Sequence, residues 1–144
     1  MTLHYDVPGD DMSLAGKAST EVKRALSRLG VNPAELKRVA VAMYEAEMNM
    51  VIHAGGGVAN ATIEPDKVTV VLEDSGPGIQ DLDMAMQEGF STAPERMREL
   101  GFGAGMGLPN MKRNSDYLDI DTEPGRGTRV TIVVRLGTPT GPDA

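Results

Sequence analysis

The order of elements predicts an α+β domain, with helices packed on one face of a mixed, mostly antiparallel sheet. Three observations carry this expectation. Strand, helix, helix, hairpin, loop, helix and two strands is not the strict alternation of a doubly wound fold. The segment 58–73 is two β-rich runs joined by a four-residue turn, which forces antiparallel neighbours. Two periodic apolar stripes sit on the early helices, each needing a sheet face to cover it. At 144 residues the chain is long enough for one core.

Leu3 to Val7 alternates apolar and polar residues before Pro8-Gly9-Asp10, a short strand and a turn. Ser13 is placed to cap a helix running to about Leu29, with Leu14, Ala18, Val22, Ala25, Leu26 and Leu29 as its apolar stripe and Gly30 as its stop. Lys17, Lys23, Arg24 and Arg28 fall on its other side. Asn32-Pro33 opens a second helix, from about Ala34 to His53. Its buried stripe is Leu36, Val39, Ala40, Met43, Met50 and Val51. Ala42, Glu45, Asn49 and His53 run beside that stripe, and Gly55-Gly56-Gly57 ends the element.

Val58–Ile63 and Val68–Glu73 form the hairpin, and the second strand is apolar enough to be central. Leu108 to Asp116 is helix-like. Tyr117–Thr122 and Thr128–Leu136 are strands around the turn Glu123-Pro124-Gly125-Arg126-Gly127. We expect one domain over residues 1–136 and a frayed Gly/Pro-rich tail over 137–144.

Composition narrows the function. Net charge is −7, from 14 basic and 21 acidic residues with no basic run, which argues against a nucleic-acid partner. The chain has no Cys, so no disulfide frame or thiolate metal site, in keeping with a reducing compartment. No leader pattern and no long apolar segment is visible, so the expectation is a cytoplasmic protein without a membrane span. Aromatics are few, leaving the core to Val, Leu, Ile, Ala and ten Met.

Glycine is concentrated where chemistry is expected. Of the 17 glycines, seven lie between Asp74 and Leu108, six of them in its two terminal motifs. Gly103-Ala104-Gly105-Met106-Gly107 before a helix has the form of a phosphate loop, because free backbone N–H groups at a helix start attract anions; a flexible linker has the same composition. It is neither a Walker loop nor a dinucleotide fingerprint. Asp74 at a strand end, followed by Gly76 and Gly78, suits acceptance of an adenine amino group with the ring against bare backbone. The same residues also make an ordinary polar turn. Glu45 and Asn49 share one side of their helix. Asn offers a neutral oxygen adequate for Mg²⁺ and Glu a proton acceptor, although an exposed helical edge looks alike.

The three motifs in this order, Glu-x-x-x-Asn, Asp-x-Gly-x-Gly and Gly-x-Gly-x-Gly, resemble the GHKL ATP-binding superfamily of gyrase, the Hsp90 chaperones, histidine kinases and MutL-type proteins. The resemblance covers about residues 34 to 134 and includes Gly127-Thr128. Within the superfamily, three stretches look most like the small bacterial serine/threonine kinases of the anti-sigma and stress-switch type: Glu73 to Ile79, Met86 to Ala93, and Gly105 to Arg113.

The resemblance implies a Bergerat-type two-layer α/β sandwich that binds ATP and Mg²⁺. Glu45 would be the general base and Asn49 the Mg²⁺ ligand. Asp74, Gly76 and Gly78 would read adenine, with Thr128 nearby, and Gly103, Gly105 and Gly107 would pass backbone around the phosphates. The stretch between the glycine motifs would be a lid, disordered or displaced without nucleotide. Its Arg96 and Arg98, and Lys112 beyond it, are candidates to neutralise phosphate, or simply solvated charges. The implied partner is a small STAS-type anti-anti-sigma protein phosphorylated on Ser or Thr, with a sigma factor or other regulator as a further partner. Monomer and homodimer stay open. The rival readings are nucleotide-gated sequestration without transfer and a detached histidine-kinase catalytic domain. The latter lacks room for a dimerisation helix pair, and a gyrase- or chaperone-type ATPase would need a transducer domain after residue 136.

Overall fold

A computed structural model describes residues 1–9, 14–78 and 107–137. The elements are β1 (Thr2–Pro8), α1 (Lys17–Arg28), α2 (Pro33–Asn49) with a π-helical turn over Met50–Ala54, β2 (Gly56–Ile63), β3 (Lys67–Glu73), α3 (Gly107–Arg113), β4 (Tyr117–Glu123) and β5 (Gly127–Arg135). The five strands form one sheet in the order β1-β2-β3-β5-β4, and every described pairing is antiparallel. This is the α+β sandwich expected.

Register explains why one face of the sheet is apolar. Tyr5, Ala59, Leu72, Val130 and Ile120 lie in one row across the strands, and Leu3, Ala61, Val70, Ile132 and Leu118 in the next. These residues join a single core with Val22 and Leu26 of α1, Val39 and Met43 of α2, and Met111 of α3. Each large aliphatic side chain buried there contributes about 1.5–3 kcal/mol. The other face carries mostly polar residues; one of its rows is Val58, Glu73, Arg129 and Asp121.

Several boundaries differ from the sequence expectation, each for a physical reason. The first helix begins at Lys17, with Gly16 at its N-cap in the left-handed region and no side-chain cap of its own. Leu14 precedes it and is exposed, as is Leu29 at its C-cap. Ser13, the expected cap, lies outside the described residues. Gly30 does end the helix, at φ 78°. Its N–H donates to Ser27 O and that of Val31 to Leu26 O, a glycine-terminated closure. The second helix opens as expected, Asn32 Oδ1 accepting from Ala34 N at 2.9 Å with Pro33 following.

The α-helix gives way at Met50 to a π-turn, which breaks the four-residue repeat, so His53 no longer extends the stripe through Asn49. Gly55 caps that turn at φ 72°. Gly56 and Gly57 belong to β2 rather than to a loose terminator. A side chain on Gly56 would overlap Val7 O, and one on Gly57 would overlap Glu73 O.

The register also gathers chain ends. β1, β3 and β4 finish, and β2 and β5 begin, at the same end of the sheet. The π-turn that follows α2 arrives there too, with Met50 Sδ 3.1 Å from a Cβ built on Gly57. At the opposite end Asp116 is held by both Nη atoms of Arg38 at 3.3 Å and by Arg135 N at 2.6 Å, tying α2 to the sheet.

Candidate functional site

The site stands at the end of the sheet where those termini meet. Glu45 and Asn49 lie one helical turn apart on α2, both half-buried, at the border between its core stripe and the surface. Burial raises the Glu45 carboxyl above the usual range, and Asn110, whose Nδ2 stands 3.5 Å from Oε1, works against that rise. Gly107, the first residue of α3, lies directly before the pair. A Cβ built on it would stand 3.4 Å from both Glu45 Oε2 and Asn49 Oδ1 and 3.6 Å from Asn49 Nδ2. Three of the residues predicted from sequence therefore converge. The absent side chain leaves the carboxylate and amide facing bare backbone.

The second cluster is built on Asp74, just past β3. Its Oδ1 accepts from Gly76 N at 3.0 Å and from Thr128 N at 3.2 Å, and its own N–H donates to Thr128 O at 3.0 Å. Both side-chain bonds fall on one oxygen, and among the described residues Oδ2 has no hydrogen-bond partner. Thr128 is thus fixed beside Asp74 through its main chain, while its hydroxyl pairs with that of Thr122 at 2.9 Å. Gly127 sits at φ 118°, and a side chain there would overlap Asp74 O. Gly78, at φ 77°, is pressed equally close to Glu123 O, and Pro77 O accepts from Gly125 N at 2.7 Å. The segment Asp74–Gly78 is therefore stitched to the β4–β5 turn.

Gly76 connects the two clusters. A Cβ on it would stand 2.5 Å from Ala54 Cβ and 2.7 Å from Ala54 Cα, so the Asp74 loop packs on the π-turn that continues the Asn49 helix. The π-turn sits where helices often adapt to a ligand site. On it, burial lowers the His53 imidazole below its usual value.

Gly103 and Gly105, the expected lid with Arg96 and Arg98, and residues 138–144 lie outside the described residues. Lys112 is exposed on α3. Two contributors were missed from sequence. Glu47, on α2 between Glu45 and Asn49, is fully buried and accepts from Gly16 N (3.0 Å), Ala18 N (3.2 Å) and Ser19 N (3.0 Å). It is the cap that α1 lacks locally. Asn110 falls within the Gly105 to Arg113 stretch, where the resemblance implies no role for it. No residue pattern around Glu47 or at the start of α1 signals the first.

The chain has relatives among known proteins. Residues 34–138 match the family described as histidine kinase-, DNA gyrase B-, and HSP90-like ATPases. An anti-sigma F factor of Caldanaerobacter subterraneus is 34% identical over 125 residues, covering 83% of this chain and 84% of that protein. The serine/threonine-protein kinase RsbT of Bacillus subtilis is 29% identical over 115 residues, 77% of this chain and 80% of RsbT. Among solved structures, SiaB–SiaC from Pseudomonas aeruginosa aligns at TM-score 0.63 and 16% identity, over 92% of this chain and 88% of that one. The RsbU and RsbW domains from Mycobacterium tuberculosis align at TM-score 0.65 and 18% identity. That match covers 96% of this chain and 33% of the mycobacterial one, and both structures speak to the fold alone. With a family match spanning most of its length, the chain belongs to the histidine kinase-, DNA gyrase B- and HSP90-like ATPase family.

Proposed function

We propose that the protein is an ATP- and Mg²⁺-dependent serine/threonine protein kinase, acting as a regulatory switch on a small STAS-type anti-anti-sigma protein. The observation that carries this reading is the placement of Glu45 and Asn49 one turn apart before the bare backbone of Gly107. Nucleotide binding alone would not need a half-buried carboxylate with its proton affinity raised. The name of RsbT, a serine/threonine-protein kinase, supports the same class, and the anti-sigma naming of other relatives supports a regulatory role.

The residues fit the groups this reading requires. Asn49 Oδ1 is a neutral oxygen of the kind Mg²⁺ accepts when phosphates and waters complete its octahedron. Asp74 Oδ2 is left to accept from an exocyclic amine, because Oδ1 is taken by backbone. Gly76 and Gly78 carry no side chain between the base and the main chain, and Thr128 borders Asp74. Gly107 keeps the approach to Asn49 open, in line with the role that Gly103 and Gly105 share on sequence grounds. When bound, MgATP supplies the phosphoryl group and the metal that neutralises its charge. Glu45 takes the proton of the incoming Ser or Thr hydroxyl as the new O–P bond forms and ADP leaves. Catalysis of this kind is mostly positioning and charge stabilisation, so a small set of residues suffices.

The deciding experiment mixes the protein, Mg-ATP and STAS-type proteins carrying a Ser or Thr acceptor, and looks for phosphate on that residue. Glu45→Ala is expected to abolish transfer while keeping ATP affinity within about threefold. Retained ATP binding without transfer to any acceptor would sink the kinase reading and favour nucleotide-gated sequestration, the reading that the anti-sigma naming of several relatives supports.

A further inference from the structure

Asn110 is the described residue of α3 whose side chain reaches the proposed base. Its Nδ2 points to Glu45 Oε1 at 3.5 Å, a long contact of the kind that tightens when a reactive complex forms. Its other side-chain atom, Oδ1, accepts from Arg113 Nη1 at 3.2 Å. These two neighbours fix the amide's orientation by charge. The flipped amide would turn its NH₂ to a guanidinium and its oxygen to a carboxylate, losing both bonds. The backbone is tied as well, since Asn110 O accepts from Asn114 N at 3.2 Å and from Asn114 Nδ2 at 2.8 Å. An anchored amide therefore meets one oxygen of Glu45, while the other, Oε2, faces Gly107.

We propose that Asn110 is a positioning residue for Glu45: by donating to Oε1 it holds the carboxylate so that Oε2 is the oxygen presented beside Gly107 and Asn49 to receive the substrate proton. The two carboxylate oxygens are chemically equivalent until something distinguishes them, and a donor on one of them does so. The same donation offsets part of the rise that burial imposes on Glu45. In this way α3, which follows the glycine motif, aligns the base held on α2. The inference takes its catalytic meaning from the kinase reading; the Asn110–Glu45 contact itself is independent of it.

The test compares Asn110→Ala with Asn110→Asp, an isostere that replaces the donor by an acceptor. A space-filling role would be spared by Asp and damaged by Ala. A donor role predicts the reverse order. Well below the melting temperature, Asn110→Ala is expected to lower kcat about tenfold and Asn110→Asp more, about a hundredfold. ATP KM should stay within about threefold, with one nucleotide bound per chain. A second measurement needs no activity. The loss of melting temperature caused by Asn110→Asp should at least halve in a Glu45→Gln background, where no second charge opposes the new carboxylate.

An Asp variant that turns over like the unmodified protein would overturn the inference. So would a stability loss that is the same in both backgrounds, or loss of ATP binding in step with kcat, which would place Asn110 in the nucleotide cradle instead. Absence of transfer in the unmodified protein, with the stability coupling present, removes the kinase reading and upholds the Asn110–Glu45 contact.

Discussion

Gly107 meets Asn49 with nothing between its Cα and the amide: a methyl group in its place would stand 3.4 Å from Oδ1, and equally far from Glu45 Oε2. That is ordinary van der Waals distance, so the folded protein has room for the methyl. Gly107 is not among the residues at positive φ, so alanine introduces no backbone strain and is the better helix former. What the methyl occupies is the space in front of Asn49 Oδ1, the oxygen proposed to hold Mg²⁺. Gly107→Ala is therefore expected to leave the melting temperature unchanged or slightly raised while weakening Mg-ATP binding more than tenfold. Calorimetric titration beside a thermal melt checks both halves, and a variant that binds Mg-ATP normally would remove Gly107 from the site.

Glu47 makes the opposite prediction, large in stability. Its carboxylate satisfies three N–H groups at the start of α1, where the helix exposes its partial positive charge. Glu47→Ala leaves those donors buried without a partner and should cost about 3 kcal/mol. Glu47→Gln retains one acceptor oxygen and should lose roughly half as much. Denaturant unfolding of both variants gives the comparison. Equal stability of Glu47→Ala and the unmodified protein would contradict the capping role.

The same residue marks where sequence stops being informative. The helical stripes through Val22 and Leu26 and through Val39 and Met43 were legible because a 3.6-residue period is a local property. The strands were legible because their alternation is local too. Glu47 caps a helix whose N-cap, Gly16, lies 31 residues earlier in the chain, and no pattern near either partner announces it, whereas Ser13 has the residue type of a local cap. The π-turn at Met50–Ala54 was equally silent, since a change of hydrogen-bond step leaves no mark in residue type. Gly56 and Gly57 were legible as glycines but not in purpose. Their need comes from the close approach of Val7 O and Glu73 O, contacts between strands that only the register brings together. At the site, the Glu45–Asn49 spacing was readable, whereas its meeting with Gly107 and Asn110 depended on packing between α2 and α3.

Glu45 should leave a pH signature in both stability and rate. Its carboxyl is raised by burial, so between the ordinary glutamate value and the raised folded value the folded state binds more protons than the unfolded chain. Stability then falls as pH rises through that window and stays lower above it. Partial exposure screens the effect. Glu45→Gln is accordingly expected to raise the melting temperature by about 2 °C at neutral pH, and to do nothing below the ordinary glutamate range. Because the base acts only when deprotonated, the acid limb of transfer should lie above that of an unperturbed glutamate. A melting temperature lowered by Glu45→Gln at neutral pH would show that the buried charge is compensated by more than Asn110.

Asp74 allows its loop-holding bonds and its proposed base-reading role to be tested apart within one side chain. Oδ1 accepts from Gly76 N and Thr128 N, and these two donors would orient the amide of Asp74→Asn so that its oxygen takes over that place. The fold should survive with a loss of about 1 kcal/mol, the difference between a charged and a neutral acceptor. The amide NH₂ would then occupy the position of Oδ2 and face the adenine amino group, donor against donor. Binding of ATP is expected to fall about a hundredfold, while a purine nucleotide with a carbonyl in place of that amine should lose less or gain. Measuring both affinities on the variant decides the assignment. A parallel loss for the two nucleotides would mean that Asp74 supports the loop without reading the base, because only direct contact makes the penalty depend on what the ring carries at that position.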